Sequence, residues 1–355
     1  MPFASIRTVS FRNLVDEEVN LNAPEVFLIG ENGQGKTNFL EAVYFCSYAS
    51  SFRVSKDSEL ISRGHKSLAA HAQLSDNAYD SIQIRLENAQ KKVFMNNKRI
   101  EDRKELLNVV PSVVFCHEDM DFISGPPERR RWFFDQSLSL YDPLYVDDLR
   151  RFRKVLKTRN TVLKNSDASL LDLLDEQLVS YGIELMKKRR LAAISFSQAF
   201  GPLYEKVSGI SDLAVKYLSS WKTEDTETEI LALSKRRDTD LGFGTTMSGP
   251  HRDRYQFTKS GQEFSASAST GQRRLLALLL RSAQALRYTE ASGKKPVLLL
   301  DDVLLELDPE KRRRFLSELP DYDQALFTFL PGEPYERYAK EKTMVYTVAG
   351  GTLSS

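Results

Sequence analysis

Eight residues, GENGQGKT from Gly30 to Thr37, constrain this chain more than any other stretch. The pattern G-x-x-x-x-G-K-[ST] needs a tight loop between a strand and a helix, and the flanks supply both. Val26-Phe27-Leu28-Ile29 reads as a buried strand before it, and Asn38-Phe39-Leu40-Glu41-Ala42-Val43 as a helix after it. Gly30, Gly33 and Gly35 admit backbone conformations closed to bulkier residues, so successive N–H groups turn inward around phosphate oxygens at the positive end of the helix. The spacing predicts that Gly30, Glu31, Asn32, Gly33, Gln34, Gly35, Lys36, Thr37 and Asn38 hold a nucleoside triphosphate. Lys36 is expected to reach the outer phosphates, and Thr37 to place its hydroxyl on the Mg²⁺ that bridges them.

A second constellation is Val297-Leu298-Leu299-Leu300-Asp301-Asp302. Four apolar residues in a row mark a strand buried on both faces, and acids at its carboxyl end lie beside the phosphate loop if the sheet is parallel. Two carboxylates at the lip of a core call for a cation. Asp301 is expected to hold Mg²⁺. Asp302, projecting to the other side by strand alternation, is expected to orient or deprotonate an attacking water. Between the two motifs, Ser269-Thr270-Gly271-Gln272 precedes the apolar run Leu275 to Leu280, which by itself is an ordinary helix cap.

At 355 residues, 41% hydrophobic and 28% charged, the chain has room for two domains and a core of ordinary size. Cys46 and Cys116 lie far apart without a CxxC partner, which argues against a disulfide scaffold or a zinc site, and four histidines suggest no metal cluster. Residues 1–12 lack the apolar run of a secretion signal, and no stretch reaches the roughly 18 apolar residues of a membrane span. The expectation is a cytoplasmic protein with no membrane partner.

Net charge is +1, but it is unevenly spread. From Arg129 to Arg190, 14 Lys and Arg stand against 9 Asp and Glu, an excess of +5. The cations gather in Arg129-Arg130-Arg131, in the Arg150 to Lys164 stretch (Arg150, Arg151 and Lys154 among them) and in Lys187-Lys188-Arg189-Arg190. Such clustering fits binding to a phosphate backbone, although a helical face kept soluble by Lys and Arg reads the same way.

Periodicity divides the chain. Short strands are expected over Ser5–Phe11, Val26–Ile29, His71–Leu74, Ser81–Leu86, Val93–Met95 and Val113–Phe115, an α/β pattern. Beyond Ser124-Gly125-Pro126-Pro127 the sequence reads as helices to about Ser234. There Leu171, Leu174, Leu178, Tyr181 and Leu185 form an apolar stripe that Lys188 interrupts, so no long coiled coil is expected. After Gly242 strand and loop residues return. The expected organisation is a discontinuous α/β lobe, residues 1–118 and 242–355, with a basic helical lobe of residues 119–241 inserted.

A serine beside a glycine at a helix start, about thirty residues ahead of a strand ending in acids, resembles the signature helix of ABC-type ATPases, and Glu306-Leu307-Asp308 resembles their D-loop. The resemblance sharpens to the RecF family of bacterial recombination-repair ATPases, related to the SMC proteins. It is carried nearly end to end by Phe11-Arg12-Asn13, GENGQGKTN with Leu40-Glu41-Ala42, Ser51-Phe52-Arg53, Glu118-Asp119, Gly125 with Arg129-Arg130-Arg131 and Asp135, Ser248-Gly249-Pro250-His251-Arg252-Asp253, Ser269 to Gln272, and Leu299 to Val303. Arg254, Thr270 and Arg273 depart from the family pattern. So does Phe327-Thr328-Phe329, which replaces a threonine-rich segment and puts a switch role for Thr328 in doubt.

The resemblance implies an ABC-type P-loop lobe of mixed sheet, with Lys36, Asp301 and Asp302 as its catalytic groups. It implies ATP and Mg²⁺ as cofactors, and a homodimer in which Ser269, Thr270, Gly271 and Gln272 of one copy meet the nucleotide of the other. It implies slow, DNA-stimulated ATP hydrolysis, sequence-independent binding to duplex, gapped or junction DNA, and RecO and RecR as partners in loading RecA, in support of SOS induction. Arg12 and Arg53 are candidates to touch nucleotide or DNA, with an ordinary surface arginine as the commoner reading of each. Glu118 and Asp119 fall where a loop couples the γ-phosphate to the second lobe, with helix capping as the plainer role. Two readings from other classes share the phosphate loop: a transporter's nucleotide-binding subunit, which gives no reason for a basic helical lobe, and a small-molecule kinase, which leaves the signature helix unexplained.

Overall fold

In the computed structural model, which describes residues 2–75, 78–165, 169–305 and 307–355, strands dominate up to Phe115 and helices from Asp121. In chain order the elements are β1 (Phe3–Val9), β2 (Glu18–Asn20), β3 (Glu25–Ile29), α1 (Lys36–Tyr48), β4 (Ser67–Leu74), β5 (Ser81–Glu87), β6 (Gln90–Met95), β7 (Lys98–Ile100) and β8 (Ser112–Phe115). Then come α2 (Asp121–Ser124), α3 (Pro127–Tyr141), α4 (Pro143–Lys164), α5 (Leu171–Ser208), β9 (Leu213–Leu218), α6 (Thr226–Ser234), α7 (Arg237–Phe243), β10 (Arg254–Lys259), β11 (Gln262–Glu263) and α8 (Thr270–Ser292). The chain closes with β12 (Val297–Leu300), α9 (Pro309–Ser317), β13 (Gln324–Phe329), β14 (Thr343–Ala349) and β15 (Thr352–Ser354).

Contacts separate two units, Met1–Asp119 with Gln284–Ser355, and Met120–Ala283. The first division falls beside the edge expected at 118. The second lies well beyond 241, because β10 pairs antiparallel with β9, Arg254 opposite Leu218 through Lys259 opposite Leu213, and holds residues 242–283 to the inserted unit. β9 also corrects the expectation of helices alone before Ser234. Its first four residues alternate between buried or half-buried and less buried positions, a short period-two signal among helical ones.

The first unit has two sheets. One is antiparallel, in the order β2-β1-β4-β5-β6-β7; the other runs β15-β14-β3-β13-β12-β8 and is parallel except for β15. All five residues of β3 are buried, as a strand covered on both faces requires. Phe27 meets Phe329 and Phe327 edge-on with centroids 5.0 and 5.4 Å apart, and each such buried ring contributes about 1.5–3 kcal/mol. Helix α1 touches β4 and β5 of one sheet and β13 and β8 of the other, so it is buried almost all round. Its carboxylate Glu41, with no exposed surface, accepts Nε and Nη2 of Arg12 at 2.9 and 3.1 Å and the Ser51 hydroxyl at 2.5 Å.

In the second unit α4 packs along α5, a helix of 38 residues, over a core that includes Tyr145, Phe152, Leu178, Ile183 and Met186. The expected stripe is present, with Leu171, Leu174, Leu178 and Leu185 buried and Tyr181 half-buried. Lys188 does not end it: its ammonium is paired 3.0 Å from both Asp142 and Asp148, and the buried face continues through Ala192, Phe196 and Phe200. Among the described residues no helix is long and apolar enough to cross a membrane.

Candidate nucleotide site and basic helical surface

Strands β3, β13 and β12 are neighbours and parallel, so their carboxyl ends open at one edge of the sheet, where ligands of α/β proteins bind. The loop after β3 takes left-handed turns at Gly33 (φ 80°) and Gly35 (φ 121°). Gly30 is required for another reason: a Cβ there would stand 2.3 Å from the Val348 carbonyl oxygen. Because α1 begins at Lys36, its first N–H groups lack intrahelical acceptors, which leaves the positive end of the helix at the loop. The Lys36 ammonium, nearly buried, donates to the carbonyls of Gly30 (2.6 Å) and Glu31 (3.3 Å) and lies 3.8 Å from the Asp302 carboxylate. Glu31, Asn32 and Gly33 are exposed at the loop's rim, and Gln34 turns its side chain to the Gly350 N–H at 2.6 Å.

Asp301 continues the ladder of β12, its N–H donating to Phe115, and its carboxylate accepts the Thr37 hydroxyl at 2.8 Å. Burial pushes its carboxyl up to about 6; the Thr37 bond and Arg53 oppose this, while Asp302 and Glu118 reinforce it. The alternation argument fails at Asp302. The strand ends at Leu300, and Asp302 adopts a left-handed backbone (φ 50°) that brings its carboxylate toward Lys36 instead of away from it. That conformation, costly for a non-glycine residue by about 1–2 kcal/mol, is held by Thr328. The Thr328 hydroxyl accepts the Asp302 N–H and donates to its carboxylate, both at 2.7 Å. Thr328 is the residue the sequence reading discounted. Its signal is its place one residue before the end of β13, the strand between β3 and β12.

Mg²⁺ fits here. The Thr37 hydroxyl and the Asp301 carboxylate supply adjacent oxygens, and among the described residues no Lys or Arg is in ion-pair contact with that buried carboxyl. Among the described residues no group of three or more His, Cys, Asp or Glu gathers to hold a metal, as suits an ion that completes its shell with phosphate oxygens and water.

Arg53 stands at this same end. It donates to the Asn38 side chain at 3.0 Å and lies 3.8 and 3.9 Å from Glu41 and Glu118. Asp119 caps the turn after β8, accepting the Cys116 N–H at 3.0 Å. Asp308 is the N-cap of α9, accepting the Lys311 N–H at 2.9 Å, and Glu306 lies outside the described residues.

In the second unit, α8 opens with a reciprocal cap. The Ser269 hydroxyl accepts the Gln272 N–H at 3.3 Å, and the Gln272 side chain accepts the Ser269 N–H at 2.8 Å. Ser269, Thr270 and Gly271 are exposed, and a Cβ on Gly271 would meet nothing within 4 Å, so this helix start is open to a ligand.

The cations of the second unit divide into two groups. Arg130 donates to the Ile123 and Gly125 carbonyls, and Arg131 to the Asp253 carbonyl at 2.7 Å. Arg189 is buried between Asp135 and Asp253, and Arg190 pairs with Glu224 at 2.6 Å. Arg129, Arg150, Arg151 and Lys154 are exposed; the first three have carboxylates 3.6 to 4.0 Å away at Asp121, Asp147 and Asp148. Arg150, Lys154, Lys157 and Lys164 recur at helical spacing on the face of α4 opposite buried Leu149, Phe152 and Leu163.

The Gly249-Pro250-His251-Arg252-Asp253 string is an internal brace. Asp253 accepts Arg189 at 3.0 Å, the Ser220 N–H at 2.8 Å and the Tyr217 hydroxyl, while Arg189 also reaches the Pro250 carbonyl at 2.7 Å. His251 bonds the Thr246 carbonyl at 2.9 Å, and burial drives its imidazole down to about 4, so it is neutral at pH 7.

The order of the parallel sheet, the phosphate loop at its edge and the paired acids on a neighbouring strand define a P-loop head of the ABC and SMC class. The RecF/RecN/SMC N terminal domain model matches residues 3–349. The DNA replication and repair protein RecF of Treponema pallidum (strain Nichols) is 45% identical over 97% of this chain and 98% of its own length, and that of Oenococcus oeni 32% identical over 98% of each. This chain belongs to the RecF family. A solved structure of the recombination mediator protein RecF-ATP in the RecFOR pathway superposes with a TM-score of 0.88 at 27% identity, over 99% of this chain and 97% of that one. The Smc head domain of Pyrococcus furiosus shares the fold alone, with a TM-score of 0.55 at 16% identity over 100% and 96% of the two chains.

Proposed function

We propose that this protein is an ATP-switched DNA-binding protein of recombinational repair. The observation that carries the reading is the meeting of Lys36, Thr37, Asp301, Asp302 and Thr328 at one sheet edge. A triphosphate lying in the loop is neutralised by Lys36 and the helix N-terminus, Thr37 and Asp301 hold Mg²⁺ against it, and Asp302 faces the attacking water. The ion supplies charge neutralisation at the phosphates. Ser269 and Gly271 of a second copy close over the γ-phosphate from an exposed helix start, so ATP joins two copies and its slow, DNA-stimulated hydrolysis releases them. Moving such an equilibrium from 1:99 to 99:1 takes about 5.5 kcal/mol of differential binding, within reach of two charged sites.

The closed pair binds duplex, gapped or junction DNA through phosphates and without sequence preference, and Arg150, Arg151 and Lys154 on α4 are its exposed cations. RecO and RecR are its partners in loading RecA at gaps. The relatives' names and the structure solved with ATP support this reading.

The test is a gel shift on duplex and gapped DNA with and without a non-hydrolysable ATP analogue, across a salt series, with light scattering in parallel. The expected result is an analogue-dependent dimer whose DNA affinity falls steeply with salt. Lys36→Arg is expected to lose hydrolysis while retaining part of the nucleotide binding, and Ser269→Arg to remain monomeric. A monomer that binds DNA equally with and without the analogue sinks the proposal.

A further inference from the structure

We propose that the carboxyl-terminal hairpin β14–β15 is a positioning element of the phosphate loop, and that Gln34 is its latch instead of a phosphate ligand. The inference rests on the reading of that loop as a triphosphate site.

The motif leaves the residue at position 34 free, yet both of its acceptors are committed. Its side-chain oxygen takes the Gly350 N–H at 2.6 Å and its carbonyl takes the Gly351 N–H at 2.8 Å. Gly350 (φ 56°) and Gly351 (φ 86°) form the left-handed turn that lets consecutive N–H groups point one way, as in the two-residue hairpins that favour glycine. The turn is seated closely. A Cβ on Gly351 would stand 1.9 Å from the Asn13 carbonyl oxygen, and one on Gly35 would be 3.3 Å from the Gly351 Cα. Two residues before the turn, Val348 is the strand backbone against which Gly30 packs.

Asn13 closes the joint from the other side. Its amide donates to the Gly33 carbonyl at 3.2 Å, its side-chain oxygen accepts Asn38 at 2.7 Å, and the Gly351 carbonyl accepts the Val15 N–H at 3.1 Å. The loop is therefore held by hydrogen bonds at Gly33 and Gln34 and packed closely at Gly30 and Gly35, and none of these contacts uses a loop N–H as donor. A loop that must turn consecutive N–H groups toward an anion is competent only if its curve is fixed before the anion arrives. In this chain that curve is imposed by residues more than three hundred positions downstream.

The measurements are KM and kcat for Mg-ATP, the Kd for a non-hydrolysable ATP analogue, and the melting midpoint with and without that analogue. Two variants approach the joint from opposite sides: Gln34→Leu removes the side-chain acceptor, and Gly351→Ala presses the turn against Asn13. Both are expected to raise KM and Kd about tenfold, with kcat falling less than KM rises, and to shrink the shift in melting midpoint that the analogue produces. Asn at position 34, which retains an acceptor on a shorter arm, is expected to recover part of the affinity. A role confined to stability would lower the midpoint without nucleotide and leave KM in place; that pattern, or wild-type KM and Kd in Gln34→Leu, overturns the inference. Wild-type protein that bound no triphosphate would overturn the site itself, a result distinct from a bound triphosphate indifferent to Gln34.

Discussion

Lys36 of the first unit and Arg189 of the second are both cations almost wholly withdrawn from solvent, but Arg189 stands between two carboxylates and Lys36, among the described residues, near one. Arg189 closes its network, with every guanidinium nitrogen partnered: Nε and Nη2 on Asp135 at about 3.0 Å, and Nη1 on the Pro250 carbonyl and on Asp253. Lys36 does not. Two of its contacts are backbone carbonyls of its own loop, and Asp302 waits at 3.8 Å, beyond hydrogen-bonding range. A closed network has nothing to offer a ligand, whereas a cation whose carboxylate stands outside hydrogen-bonding range, a buried carboxyl pushed up to about 6 and a left-handed aspartate are features that a bound anion and divalent ion would relieve.

The largest expected effect tests the closed member of the pair. Arg189→Met leaves Asp135 and Asp253 buried without their cation, and removal of one partner of a buried pair costs about 3–5 kcal/mol. Urea unfolding is expected to show that loss. Lys36→Met, by contrast, is expected to shift the midpoint by under about 1 kcal/mol, since its partners are loop carbonyls and a half-exposed carboxylate. Equal losses in the two variants would erase the distinction between brace and site.

The first unit was the more legible in sequence, for a physical reason. Phosphate binding uses backbone N–H groups and needs glycines at fixed spacing, and a strand buried on both faces needs an unbroken apolar run; each leaves a contiguous trace at Gly30–Thr37 and Val297–Asp302. Lys36, Thr37 and Asp301 are candidates on that trace, and the fold brings Thr37 and Asp301 into contact. Alternation misplaced Asp302 because the strand ends one residue before Asp301, and Thr328 escaped because its role depends on sheet order. In the second unit charge was counted where partnership mattered. Composition weighs Arg130, Arg131 and Arg189 equally with Arg150 and Lys154, and only the fold shows that the former face carbonyls and carboxylates within the unit. β9 was missed because its strand period spans too few residues to stand out among helices.

A smaller effect separates exposed from internal cations. Replacement of Arg150, Arg151 and Lys154 together by Gln is expected to leave stability within about 0.5 kcal/mol per site. The slope of log affinity for duplex DNA against log salt is expected to fall by about 2 to 3, near 0.9 per phosphate contact. The pairs with the flanking Asp147 and Asp148, at 3.8 and 4.0 Å, are surface pairs of small worth. An unchanged slope would move the DNA surface off α4.

The smallest effect tests the stored free energy at Asp301. Its folded-state carboxyl titrates near 6 against an ordinary 3.8, so without a divalent cation the folded protein favours the protonated form. Stability from this group is then present below pH 4 and is lost as pH rises through about 6. Mg²⁺ needs the carboxylate and reverses the sign, since binding releases the proton. Apparent Mg²⁺ affinity in the presence of ATP is therefore expected to be level above pH 7 and to fall about tenfold by pH 5. Titration calorimetry in buffers of differing ionisation enthalpy is expected to find close to one proton released per ion at pH 5 and almost none at pH 7.5. In Asp301→Asn both the pH dependence and the proton release are expected to shrink to what the ATP terminal phosphate contributes through its own ionisation at about 6, along with most of the Mg²⁺ affinity. If the wild-type dependence persisted in that variant, the titrating group would lie elsewhere, and the contrast between the open cation of one unit and the closed one of the other would have to rest on Lys36 and Asp302 alone.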